Sequence, residues 1–239
     1  LFWTHDHSVM PLARTLAMLL VLWLYNLLTG FIKEASDTRV LTGLFGEYVP
    51  PERVAEMRIS GQSYSLEGES RELTVLFSDV RRFTAVSERL SPRELSAMMN
   101  LYLTEMTRTI HQTHGTIDKY IGDAIMAFWG APLAVPAHAR EAVAAAIAMR
   151  DAMPALAPVF AARGWPELVI GIGINTGTMN VGDMGSRFRK AYTVLGDPVN
   201  LASRIECRTK RYCVTILCGQ STLDAAPEFI WRAVDRVRV

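Results

Sequence analysis

Two short runs constrain this chain more than any other part of it. In LTVLFSDVRRFT (73–84) and DKYIGDAIMAFWG (118–130), an aspartate stands where an apolar strand meets a turn. Asp79 ends the run of Leu73, Val75, Leu76 and Phe77, which has the look of a buried strand, and Asp123 sits in a Gly122-Asp123 pair between apolar segments, the pattern of a tight hairpin. Carboxylates at strand tips are rigid at the base and open to water. They suit Mg²⁺, which is bound through one or two carboxylates and leaves its other positions to water and substrate phosphates. Taken singly, either aspartate reads as a turn or cap residue.

A third segment, YTVLGDPVNLASR (192–204), alters that reading. Asn200 and Arg204 are four apart after Pro198, a residue favoured in a first helical turn, so the two share one helix face. Together the three segments resemble the catalytic domain of class III nucleotidyl cyclases, which convert a nucleoside triphosphate into its 3′,5′-cyclic monophosphate and pyrophosphate; the likeness runs from about Arg71 to the C-terminus. The resemblance implies that Asp79 and Asp123, with Val80 beside them, hold two metal ions, Mg²⁺ or Mn²⁺. It also implies that Lys119 reads the base and that Asn200 and Arg204 stabilise the transition state. The turn from Val80 through Phe83 and Thr84 joins a strand to a helix, where backbone N–H groups can cradle phosphate oxygens.

Base selectivity follows from donor and acceptor patterns. Adenine presents a donor at N6 and an acceptor at N1, and guanine presents the reverse. Lys119 is donor-only and matches adenine N1. Its family partner falls at Thr193, whose hydroxyl can accept from N6, whereas guanylyl cyclases carry Glu and a small residue such as Cys. The chain thus resembles the Thr-bearing, class IIIb-like adenylyl cyclases, and the expected substrate is ATP. A guanylyl cyclase and a weakly catalytic, nucleotide-binding dimerisation module are the alternatives.

In this family each site is shared between two chains, so a homodimer is expected. Two departures stand out. Arg82 occupies a position that is usually Gly, and the family's phosphate-binding Lys follows a terminal strand resembling VDRVRV (234–239), which places it past Val239.

The formal net charge of +1 over 239 residues gives no reason to expect a nucleic-acid partner. Cys207, Cys213 and Cys218 lack zinc-type spacing and fit a reduced cytosolic setting. Thr15 to Ile32, TLAMLLVLWLYNLLTGFI, is uncharged and, at roughly 27 Å as a helix, just spans a hydrocarbon core of roughly 30 Å. Lys33 and Arg39 follow it, which favours a cytoplasmic C-terminal side. The expected organisation is the end of a membrane region (1–33), a juxtamembrane linker (34–70) and a catalytic domain (71–239), at the inner membrane with the catalytic domain cytoplasmic. LFGEYVPPERVAEM (44–57), broken by Pro50-Pro51, resembles the junction of bacterial membrane-linked cyclases. Gly61 to Ser70 is the linker candidate.

The expected fold is α+β, a ferredoxin-like βαββαβ core extended as in class III cyclases, with helices on one face. Its expected parts are a strand at 73–77, a helix from Pro92 to His111, a hairpin about Gly122-Asp123 and an Ala-rich helix from Pro136 to Met149. A second hairpin at 168–174 and 178–181, a helix from Pro198, and strands near Val214 and Phe229 complete the order.

Overall fold

The computed structural model describes residues 15–29, Pro50, Ala55 and 68–237. Two units separate: residues 1–47 with 51–61, and residues 48–50 with 62–239. In the first, helix α1 (Thr15–Thr29) is apolar and about 22 Å long at 1.5 Å per residue. That is shorter than a hydrocarbon core of roughly 30 Å. The rest of the expected span, Gly30 to Ile32, lies outside the described residues, as does most of the expected linker.

The second unit is built on a six-stranded sheet. Strand β1 (Glu69–Val80) is followed by a short helix α2 (Phe83–Ser87), the long helix α3 (Pro92–Gln112), and the hairpin β2 (Thr116–Ile121) and β3 (Ala124–Trp129). Then come α4 (His138–Ala161), β4 (Ile170–Ser186), β5 (Arg189–Leu195), α5 (Asp197–Tyr212), β6 (Ile216–Cys218) and α6 (Gln220–Ala225). The order β2-β3-β1-β4 is antiparallel throughout, which is the ferredoxin-like core. The extension lies on β4, which pairs antiparallel with β5 near its end and parallel with β6 near its start. β1 starts at Glu69, inside the stretch read as linker.

Helix α3 starts where its sequence dictates. Ser91 and Glu94 form a capping box, with the Ser91 N–H donating to Glu94 Oε2 at 3.0 Å, and Pro92 enters the first turn. Its stripe of Met98, Tyr102, Met106 and Ile110 is fully buried with Leu76, Ile125 and Trp129 in the main core. Helix α4 runs on past Met149 through Pro154 and Pro158, because Leu156 and Phe160 keep its far turns buried. It has the length and composition of a membrane span, yet Ala142, Ala145, Ala146 and Met149 are buried in this core.

Three expectations are corrected. The helices do not share one face. Ile170, Ile172 and Ile174 point into the core with α3 and α4, while the alternate positions Gly171 and Gly173 lie under α5 on the opposite face. Nor is 168–181 a hairpin: β4 is one continuous strand, paired with β1 from Val181↔Glu69 to Ile170↔Val80. Its glycines resemble turn signals but serve close packing. A Cβ at Gly173 would fall 2.2 Å from Glu206 N and 2.5 Å from Ala202 O, and one at Gly177 would fall 2.8 Å from Pro198 Cγ. Lastly, the described residues around Phe229 and from Trp231 to Val237 form no strand; Phe229 and Trp231 pack edge to face at 6.1 Å, against the core.

Because the groups that a Gly173 Cβ would strike are helix backbone, they cannot rotate aside. Gly173→Ala is therefore expected to cost about 3 kcal/mol or more by lifting α5, read as a lower urea midpoint with an unchanged slope. An unchanged midpoint would mean that α5 does not need this contact.

Candidate active site

The chain ends of β1 and the β2–β3 turn bring the two aspartates together. Asp79 is the penultimate residue of β1. Gly122, at φ 67°, takes the left-handed conformation that the tight β2–β3 turn requires and presents Asp123 beside it. The Val80 N–H donates to Asp123 Oδ2 at 3.1 Å, which pins the turn to the strand end. The Asp123 carboxyl is pushed up to about 6, by burial first and then by the neighbouring Asp79 carboxylate. Two carboxyls are held this close at the tip of the sheet. Their hard oxygen chemistry fits a divalent ion such as Mg²⁺ or Mn²⁺, with the Val80 carbonyl as a further oxygen nearby. Among the described residues no cluster of three or more His, Cys, Asp or Glu is placed to hold a metal, so water and substrate would have to supply the remaining ligands.

Two residues that the sequence reading did not single out border this pair. Lys210 of α5 reaches Asp79, Nζ to Oδ2 3.4 Å. Glu206, one turn earlier, is buried, and its carboxyl is raised by that burial and by Asp79, with Lys210 opposing. Arg81 anchors the following turn by donating to Thr209 O at 3.3 Å and Val214 O at 2.5 Å. Those carbonyls lie at the C-terminal end of α5, where a cation is favoured.

Phe83 and Thr84 open α2, whose backbone bonding starts with the Ala85 N–H donating to Arg82 O at 3.0 Å. Arg82, which precedes them, is left-handed at φ 56° and exposed. That conformation costs a non-glycine residue roughly 1 kcal/mol, so the backbone itself favours Gly at this position.

A second cluster lies elsewhere on the same chain. Lys119 of β2 donates from Nζ to Thr193 Oγ1 of β5 at 3.4 Å. Asp118 joins them: its Oδ1 is 2.9 Å from Lys119 Nζ, and its Oδ2 accepts from the Thr193 hydroxyl at 2.5 Å and from the Val194 N–H at 3.3 Å. Lys119 stands two residues before the end of β2, about 7 Å of strand from the turn that presents Asp123.

Asn200 and Arg204 project from α5 on its exposed side, while Val199, Ala202, Glu206 and Thr209 face the sheet. Neither side chain has a hydrogen-bond or ion-pair partner among the described residues. Lys210, at Asp79, lies about 9 Å along the helix from Arg204 and about 15 Å from Asn200. One chain thus gathers Asp79 with Asp123 and Lys119 with Thr193, and turns Asn200 and Arg204 outward.

The family described as "Adenylate and Guanylate cyclase catalytic domain" matches residues 67–238, and the chain belongs to that family. Adenylate cyclase 1 of Rhizobium meliloti (strain 1021) is 34% identical over 203 residues, 85% of this chain and 30% of that protein; the chain thus spans less than a third of that relative's length. Among solved structures, the guanylyl cyclase Cya2 is 38% identical with a TM-score of 0.62, covering 72% of this chain and 83% of that one. The adenylyl cyclase CyaB from P. aeruginosa is 39% identical with a TM-score of 0.64, covering 69% and 85%.

The raised Asp123 carboxyl gives a testable sign. Its folded value lies above its ordinary one, so it favours the fold at low pH and loses that contribution as pH rises from about 4 through about 6. In chelator at pH 7, Asp123→Asn is therefore expected to melt above the wild type, with the gap closing near pH 4, and added Mg²⁺ is expected to raise the wild-type midpoint more. A variant that melts below the wild type at pH 7 would contradict the repulsion described here.

Proposed function

We propose that this chain is an adenylyl cyclase catalytic module, acting as a homodimer to convert ATP into 3′,5′-cyclic AMP and pyrophosphate. The observation that carries the reading is the pairing of Lys119 with Thr193 at 3.4 Å, apart from the carboxylate pair Asp79 and Asp123. A donor-only ammonium beside a hydroxyl matches the N1 and N6 edge of adenine. The expected guanine-reading residues are absent from both positions.

In the reaction the ribose 3′-oxygen forms a bond to the α-phosphorus while the bond from that phosphorus to the β-bridging oxygen breaks, and the hydroxyl proton departs. Divalent ions held by Asp79, Asp123 and the Val80 carbonyl would activate the 3′-hydroxyl and neutralise the pyrophosphate charge. Lys119 and Thr193 hold the base, and Asn200 orients the ribose. Arg204 meets the charge that develops on the α-phosphate, where a preorganised cation is worth a few kcal/mol. The N–H groups of Phe83 and Thr84 would donate to phosphate oxygens.

The homodimer is supported by the outward direction of Asn200 and Arg204 and by their distance along α5 from the residue that meets Asp79. Exposed apolar side chains at Tyr120, Ile121, Phe188 and Leu195 give a second copy surface to cover. The membrane attachment expected from residues 15–32, and with it a cytoplasmic catalytic domain at an inner membrane, remains part of the proposal.

Base choice tests the reading. Lys119→Glu with Thr193→Cys inverts the donor and acceptor pattern and is expected to lower the ratio of kcat/KM for ATP over GTP at least tenfold, about 1.4 kcal/mol. Wild-type protein that forms cyclic GMP faster than cyclic AMP would overturn the adenylyl assignment in favour of the guanylyl one.

A further inference from the structure

Asp118 has no role in the reading above, yet its surroundings are the most specific in the molecule. It is a carboxylate in a strand, its side chain 0% exposed. Strand β2 departs from regular pairing at this residue: Ile117 pairs with Ala127 and Lys119 with Met126, leaving Asp118 as the extra residue of a bulge. A bulge breaks side-chain alternation and re-aims one residue. Here it turns Asp118 towards β5, where it meets Thr193 and Val194.

The proton positions follow from the partners. Oδ1 is ion-paired with the Lys119 ammonium at 2.9 Å and Oδ2 accepts from the Val194 N–H, and neither neighbour can accept a hydrogen bond. The Thr193 hydroxyl has two neighbours within bonding distance. Lys119 Nζ cannot accept, so the hydroxyl proton goes to Asp118 Oδ2. A threonine hydroxyl is otherwise free to rotate and can serve adenine as an acceptor or guanine as a donor. With its proton committed, Thr193 has only lone pairs to offer. Lys119 donates to Thr193 and is held by its ion pair with Asp118, which leaves a donor for a ring acceptor.

We propose that Asp118 is a specificity-determining positioning residue, which fixes the Thr193 hydroxyl as an acceptor and aims Lys119, so that the pair accepts adenine and rejects guanine. This rests on the adenylyl cyclase reading and adds to it the reason why a threonine, ambivalent by itself, can discriminate. Asp118 makes no contact with the base; it acts through its two neighbours.

The test is a double-mutant cycle on the full chain, with kcat/KM for ATP and for GTP and competition binding of non-cyclisable ATP and GTP analogues as readouts. Asp118→Ala is expected to lower the ATP-over-GTP ratio at least tenfold by both readouts. In a Thr193→Val background, which keeps the shape and removes the hydroxyl, the same substitution is expected to lower the ratio at least threefold less, the remainder being the part carried through Lys119. If Asp118→Ala does not fold, Asp118→Asn takes its place. Its amide must set NH₂ against Lys119 or against Thr193 and Val194, and a fall of at least threefold is expected. A folded Asp118 variant with the wild-type ratio would overturn the inference and leave the adenylyl reading standing, as would an equal fall with and without the Thr193 hydroxyl. A wild-type protein with no preference for ATP would overturn both.

Discussion

The seating of α5 on the glycine positions of β4 is the contact on which the rest depends. Gly173 lets helix backbone approach the strand so closely that a Cβ would strike it, and Gly171 leaves room for the Thr209 and Glu206 side chains. This fixes the height and rotation of α5. With Val199, Ala202, Glu206 and Thr209 held down, the 3.6-residue period turns Asn200 and Arg204 outward. The same seating carries Lys210 to Asp79 and brings the last carbonyls of the helix to Arg81, so the turn after β1 and the helix are set against each other.

The central strand shows the other side of this constraint. β1 is covered by α3 and α4 on one face and by α5 on the other, so its middle, Leu73 to Leu76, is buried without alternation. A carboxylate at the end of such a strand cannot withdraw, and the hairpin turn brings a second one to it. The repulsion between Asp79 and Asp123 persists because the Val80 N–H and the strand pairing hold the turn in place. A site that is unfavourable by itself and satisfied by a cation is the usual way for a fold to spend stability on function.

Features that depend on neighbours in sequence were legible beforehand. Asp79 and Asp123 stood out through the apolar runs and turn residues beside them, the α3 start through Ser91 and Glu94, and the shared face of Asn200 and Arg204 through their spacing. Features decided across the fold were not. Gly173 and Gly177 look the same locally whether a chain turns or a helix lands on it, so the sequence of β4 suggests a hairpin where the fold has one strand. The bulge at Asp118 gives no local signal; it inverts the strand pattern and hides a buried carboxylate next to the lysine that had been singled out. Lys210 and Glu206 become neighbours of Asp79 only once α5 lies on the second face of the sheet.

The central claim is that one chain holds two incomplete half-sites and that a second copy completes them. Mixing Asp79→Ala with Asn200→Ala measures this directly. Each variant alone is expected to be inactive, since every site in its homodimer lacks one essential group. With random exchange about half the dimers are mixed, each with one intact site of two, so about a quarter of wild-type activity is expected at saturating protein. Activity that stays near zero across the mixing series, with subunit exchange confirmed by differently labelled chains, would contradict the account.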